Sequence, residues 1–288
     1  MTNRPKTKLL VDGGDPHETA EIKRLLGFVD GQTTNPSLIA KNPDVARRVS
    51  AGQKLTPREE RDAYRSIVQA LSPLVGTAGV SIEVFADLDT TAEDMVRQGR
   101  DMFSWVPNAY VKYPCTPEGL RAAEISVREG IRVNMTLCFS QEQAAAVYAA
   151  TRGTKEPAYV SPFIGRLDDI GQNGVDLVAN IQRMYAQGDG HVLVLAASLR
   201  TMAHLQYCFS VSADLATVPA KLLREWVAAG LALPDSRFSY EPIGTRLEYR
   251  ELDLQQPWGR FNVAHDLTTK GVKKFVADYR ATLSAKTE

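Results

Sequence analysis

The sequence predicts an α/β protein folded as a single (β/α)8 barrel, and three observations predict it. Short apolar runs alternate with longer stretches of helical periodicity from one end of the chain to the other. Such alternation implies a parallel sheet, because parallel neighbours need crossover connections. The 288 residues suit one undivided barrel, and no G-x-G-x-x-G after the first strand points to an open dinucleotide-binding sheet.

In order, strands are expected at Lys8–Val11, Gly27–Val29, Val80–Phe85, Ala109–Tyr113, Arg132–Thr136, Ala158–Ser161, His191–Ala196 and Leu215–Val218. Helices are expected between them at Glu18–Leu26, Arg58–Leu71, Thr91–Phe103, Glu118–Glu129, Gln141–Thr151, Val175–Ala186 and Ala220–Ala229. Start signals support them: Thr116-Pro117-Glu118 and Thr56-Pro57-Arg58-Glu59 each set a cap residue, a first-turn proline and an acid in order. No repeat or low-complexity linker divides the chain, so residues 1–288 are expected to form one domain. Within it, residues 233–288 form an extension packed on the barrel. The stretch Leu233–Val263 lacks clear periodicity, and a final helix is expected near Thr269–Leu283.

Composition excludes several classes. Apolar residues make up 44% and charged residues 24%, enough for both a core and a hydrated surface. Lys plus Arg and Asp plus Glu each total 34, which argues against nucleic acid or an anionic membrane as partner. Cys115, Cys138 and Cys208 are odd in number and lack metal-ligand spacing, as expected of reduced thiols and not of a metal site. The start of the chain has no apolar signal core, and no apolar run approaches the roughly 20 residues of a membrane span. A cytoplasmic protein is expected; a homo-oligomer is compatible with the sequence but not legible in it.

Strand parity places the polar residues. Alternate residues of a barrel strand face the interior. On the fourth strand Val111 and Tyr113 face the helices and Lys112 turns inward, where a lysine loses hydration. Taken alone, Lys112 reads equally well as a strand-end charge reaching solvent. Other strands add company: Asp12 ends the first, Ser81 and Glu83 share a face of the third, and Asn134 and Thr136 share a face of the fifth. Ser161 closes the sixth, and Ser198 with Arg200 follows the seventh. These groups gather at the C-terminal end of the barrel, where barrel enzymes keep their active sites.

Five segments carry a resemblance to a known family. Gly31-Gln32-Thr33-Thr34-Asn35-Pro36-Ser37-Leu38-Ile39 resembles the T-T-N-P-S segment of transaldolases and fructose-6-phosphate aldolases. Val111-Lys112-Tyr113-Pro114 with Thr116-Pro117-Glu118-Gly119 resembles their lysine strand. Asn134-Met135-Thr136-Leu137-Cys138-Phe139-Ser140 resembles N-x-T-L-x-F-S, Val160-Ser161-Pro162-Phe163-Ile164-Gly165-Arg166 resembles V-S-P-F-V-G-R, and Ala197-Ser198-Leu199-Arg200 resembles A-S-[FL]-R. The matches keep the family's order from about Asp12 to Arg200. Two departures stand out: Gly13-Gly14 follows Asp12 where a small hydroxyl or alanine series is usual, and Tyr113 replaces an aliphatic. Asp15 competes with Asp12 for the acid–base role, and parity favours Asp12.

The resemblance implies a TIM barrel and a transaldolase, a transferase of the non-oxidative pentose phosphate pathway. It would move a dihydroxyacetone unit from sedoheptulose 7-phosphate or fructose 6-phosphate to erythrose 4-phosphate or glyceraldehyde 3-phosphate. Class I aldol chemistry needs an amine that attacks a ketone, and a free lysine, with a pKa of about 10.4, must first be made neutral. By resemblance Lys112 forms the Schiff base, Asp12 exchanges the hydroxyl proton, and Glu83 with Thr136 holds the water of imine formation. Asn35, Asn134 and Ser161 would bind the dihydroxyacetone unit, and Arg166, Ser198 and Arg200 the phosphate. Phe139 is expected to favour transfer, because sister aldolases are read as carrying a tyrosine there. No cofactor or metal is implied, since the iminium serves as electron sink, and sugar phosphates are the expected partners. A fructose-6-phosphate aldolase, a transaldolase for a sulfonated sugar, and a non-catalytic sugar-phosphate binder are the alternatives.

Overall fold

In the computed structural model, which describes residues 4–284, eight parallel strands close into a barrel in sequence order. They are β1 (Lys8–Asp12), β2 (Gly31–Thr33), β3 (Gly79–Glu83), β4 (Ala109–Pro114), β5 (Val133–Cys138), β6 (Ala158–Pro162), β7 (Val192–Ala196) and β8 (Leu215–Pro219). β8 returns to β1, with Thr217 opposite Leu10, and closes the ring. The expected (β/α)8 barrel is therefore present.

The second strand is a correction. Gly27 adopts φ 79°, a left-handed conformation that caps α1 (Pro16–Leu26), so Gly27–Val29 belongs to the turn after that helix. The strand itself is Gly31–Thr33, too short and polar to show an apolar run. Gly31 is required by packing: a Cβ there would stand 2.8 Å from both the Gly79 carbonyl oxygen and Leu10 Cγ.

Four helices escaped the sequence reading: α2 (Pro36–Ala40), α3 (Pro43–Ser50), α8 (Ile164–Asp168) and α10 (Met202–Ser210). Two span five residues, too short to show a period, and α10 is apolar on most of its surface. The expected start signals are in use. Thr56 and Glu59 form a reciprocal capping box on α4 (Pro57–Leu71), and Thr116 Oγ1 accepts from the Gly119 amide at 3.1 Å to cap α6 (Pro117–Arg128).

The interior is layered. Leu10, Tyr110, Tyr159, Leu195 and Leu215 fill one layer, with the two tyrosine rings stacked at 4.2 Å. Toward the C-terminal ends of the strands the filling becomes polar. The outward parity also holds, since Tyr113 reaches α6, where its hydroxyl meets Ser126 Oγ at 2.9 Å.

After α11 (Ala220–Ala228) the chain crosses the barrel without regular structure except a 3-10 turn at Trp258–Arg260, and ends in α12 (Asp266–Thr282). Leu137, at φ 58°, lies in an irregularity of the β5–β6 pairing, and its carbonyl accepts from the Thr268 hydroxyl at 2.9 Å. Gln143 Nε2 donates to Thr268 Oγ1 at 2.8 Å and to the Val263 carbonyl at 3.1 Å. A Cβ on Gly271 would stand 2.6 Å from Leu137 Cδ2, so glycine lets α12 settle over the β5 end. Among the described residues no helix is long and apolar enough to cross a membrane.

Candidate active site

β3 and β4 pair with Glu83 opposite Lys112, and β4 and β5 pair with Lys112 opposite Asn134. In-register parallel strands thus bring three inward side chains together at one height. Lys112 Nζ lies 3.0 Å from Glu83 Oε2 and donates to the Thr34 carbonyl at 3.0 Å. Both members of this ion pair are 4% exposed. Burial pushes the Glu83 carboxyl above its ordinary range, opposed by the Lys112 charge.

Asp12, at the end of β1, faces the same cavity and accepts from the Thr33 hydroxyl at 2.8 Å. Burial raises its carboxyl as well; Lys112, the Thr33 bond and Lys41 pull the other way. Asp15 lies elsewhere: its carboxylate accepts from the His17 amide at 2.9 Å and caps α1. One of the two glycines between them also finds a reason. A Cβ on Gly14 would stand 2.7 Å from the Leu38 carbonyl oxygen, so the loop after Asp12 lies directly against α2.

A polar shelf continues round the barrel. Asn134 Nδ2 donates to Ser81 Oγ at 3.0 Å, and Ser161 donates to Asn134 Oδ1 at 2.7 Å. Thr136 Oγ1 is buried and has no hydrogen-bond partner among the described residues. Asn35 Oδ1 caps α2 through the Leu38 amide at 2.9 Å and lines the cavity.

The cavity holds about 230 Å³ and is lined by Asp12, Asn35, Lys112, Thr136, Ser161, Arg166 and Ser198 of the expected set. Ser198 sits at φ 59°, an uncommon conformation for a residue other than glycine. Gly165 presses on it: a Cβ there would stand 2.6 Å from both the Ser198 carbonyl oxygen and Arg200 Nε. Arg200 does not line the cavity. Its guanidinium forks onto the Asp169 carboxylate, with Nη2 at 2.7 Å from Oδ2. Glu83 reaches the cavity through its pair with Lys112.

Phe139 also lies outside the cavity lining, packed on Phe163 at 5.6 Å between ring centroids and stacked on His265 at 5.3 Å. The aromatic rings that line the cavity are Phe163 and Phe275. Sequence reading also passed over Thr33, Thr217, Lys41, Lys274 and Asp278, all of which line it. Parity on the eighth strand could have found Thr217, whose hydroxyl meets that of Thr33 across β1, whereas Thr33 lies on the strand that was misplaced. Lys274 and Asp278 come from α12, where they pair with each other, and Asp278 accepts from Ser37 on α2. No local pattern reports that approach.

A closed parallel barrel with a buried lysine–carboxylate pair at its C-terminal face defines the general class: a β/α-barrel protein with a site suited to carbonyl chemistry. The comparisons give the family. The family profile described as Transaldolase/Fructose-6-phosphate aldolase matches residues 9–286, and the chain belongs to this family. A probable transaldolase of Bacteroides thetaiotaomicron is 36% identical over 268 residues, covering 91% of this chain and 96% of that protein. One from Cereibacter sphaeroides is 40% identical over 217 residues, covering 75% and 86%. One from Roseiflexus is 34% identical over 255 residues, covering 88% and 89%. A solved structure described as a putative lyase/mutase of Burkholderia cenocepacia aligns at TM-score 0.46 and 15% identity, over 80% of this chain and 82% of that one.

Proposed function

We propose that this chain is a transaldolase that moves a dihydroxyacetone unit between sugar phosphates through a Schiff base on Lys112. The observation that carries the reading is the Lys112–Glu83 pair at 3.0 Å, buried beside Asp12 at the C-terminal face. Desolvation disfavours a separated charge pair, so transfer of the ammonium proton to Glu83 yields a neutral amine beside a neutral acid. That amine attacks the C2 ketone of fructose 6-phosphate or sedoheptulose 7-phosphate.

Loss of water from the carbinolamine needs a proton donor to the departing hydroxyl. Glu83 holds that proton, and the unpartnered Thr136 hydroxyl can steady the water. Asp12 then takes the proton of the C4 hydroxyl as the C3–C4 bond breaks and the pair of electrons enters the iminium. The aldose phosphate leaves, and the remaining enamine adds to erythrose 4-phosphate or glyceraldehyde 3-phosphate, whose oxygen receives the proton from Asp12. Burial raises the Asp12 carboxyl, which makes it a better acceptor of the C4 hydroxyl proton and lets it hold that proton until the acceptor aldehyde arrives.

Asn35, Asn134 and Ser161 are the proposed ligands of the dihydroxyacetone hydroxyls, and Arg166, Ser198 and Lys41 those of the phosphate. Arg200 would act on the phosphate by releasing Asp169. The apolar Phe163 beside Lys112 offers no hydroxyl to hold a hydrolytic water, which favours transfer over release of free dihydroxyacetone. This activity belongs to non-oxidative pentose phosphate interconversion in the cytoplasm.

The test is direct. Fructose 6-phosphate with borohydride should leave a reduced three-carbon adduct on the Lys112 peptide, read by mass spectrometry, and added erythrose 4-phosphate should yield sedoheptulose 7-phosphate. Absence of the adduct would overturn the mechanism, and an adduct with release but no transfer would make the protein an aldolase.

A further inference from the structure

A second cavity, of about 450 Å³, lies outside the barrel among α4, α5 (Ala92–Phe103) and the end of α12. Its walls are largely apolar, with Pro57, Tyr64, Phe85, Met102 and Tyr279 contributing. Glu60 of α4 points into it while only 6% exposed. An ionised carboxylate in such a place is costly unless something compensates it.

The neighbouring charges are already committed. Arg61 pairs with Asp101, Arg97 pairs with Asp94 at 2.8 Å, and Glu83 pairs with Lys112. Gln98 spends its amide on the Phe85 backbone, accepting from its N–H and donating to its carbonyl at 2.9 Å each. Among the described residues the Glu60 carboxylate has no hydrogen bond and no ion pair. Burial alone pushes it up to about 7, with no neighbouring cation acting against that rise.

We propose that this cavity binds a small organic cation, a protonated primary amine bearing one aromatic or branched aliphatic group, with its ammonium on Glu60. A cation supplies what the carboxylate lacks, and the rings of Tyr64, Phe85 and Tyr279 suit both an apolar body and a positive head. An anion would meet an unpaired acid and arginines already held by their own partners. The site is separated from the substrate cavity by Glu83, and Tyr64 ties the two together: its hydroxyl accepts from the Glu83 amide at 2.9 Å and meets the Thr34 hydroxyl at 2.6 Å. The inference stands on this cavity and does not depend on the aldol reading.

Calorimetry on the full chain at about pH 8, with phenethylamine and the uncharged phenethyl alcohol as probes, tests it. The amine should bind saturably and at least roughly tenfold more tightly than the alcohol, and Glu60→Gln should remove that preference. Glu60→Gln should also raise the thermal midpoint, because it deletes a buried unpaired acid. Met102→Trp, which fills the cavity and keeps Glu60, should abolish binding of both probes. Equal affinity for amine and alcohol, no amine binding at millimolar concentration, or an amine preference that survives Glu60→Gln would each overturn the proposal.

Discussion

Replacing Lys112 by methionine keeps an apolar stem as far as Cε and removes the ammonium, leaving Glu83 buried without a cation. The two side chains are 5% and 4% exposed, so solvent screens little of what is lost. Breaking a buried pair from one side costs about 3–5 kcal/mol when the remaining group stays ionised. That group can escape by taking up a proton. Glu83 and Asp12 both already sit above their ordinary values, and Lys112 is the largest influence holding each of them down. Without it both rise further, and each added unit of difference from the unfolded chain is worth about 1.4 kcal/mol.

The sign follows from linkage. A carboxyl whose folded pKa exceeds its unfolded value costs nothing below the unfolded value, and its cost grows as pH rises from the unfolded value to the folded one and is constant above it. The deficit of Lys112→Met against the parent should therefore be small near the ordinary glutamate value of 4.5 and should widen toward about pH 8. Urea unfolding followed by circular dichroism across that interval measures it. A second change, Glu83→Gln, should recover most of the loss at the alkaline end and little at the acid end. A deficit that is the same at both ends, or a double variant no more stable than the single one, would refute the reasoning.

Other outcomes are expected from the same structure. Phe163→Tyr should raise the ratio of aldol cleavage to transfer, whereas Phe139→Tyr should leave it nearly unchanged, because Phe163 lines the cavity and Phe139 does not; coupled assays of free dihydroxyacetone and of sedoheptulose 7-phosphate read both. Arg166→Ala should raise the KM for phosphorylated sugars roughly tenfold or more, the loss of a charge-assisted bond, while Arg200→Ala should cost less because its fork is held by Asp169; steady-state kinetics on both variants decide it. Thr268→Val takes the buried hydroxyl donor from the Leu137 carbonyl, while Gln143 keeps the Val263 and Cys115 carbonyls, and should lower unfolding stability by about 1–3 kcal/mol, measurable by denaturant titration.

Much of the fold and part of the site are legible in the sequence. Period-2 parity is local, so Lys112 inward and Tyr113 outward could be read from four residues of β4. The inward set Asp12, Glu83, Asn134 and Thr136 follows from the same rule once the strands are placed. β2 was missed because Gly31-Gln32-Thr33 owes its strand state to backbone pairing with β1 and β3, not to apolar side chains. α2 and α8 were missed because five residues carry no period.

The sequence by itself determined which groups face the barrel interior, because alternation along a strand is set by the geometry of one chain segment. Only the tertiary structure decided which of them share a cavity. Phe163 stands in front of Phe139 because of how two strand ends pack, and Arg200 turns to Asp169 across a loop. Lys274 and Asp278 reach the site because Gly271 allows α12 to lie against Leu137, which is 134 positions earlier in the chain. Such approaches depend on side chains filling space between distant segments, and no local spacing records them.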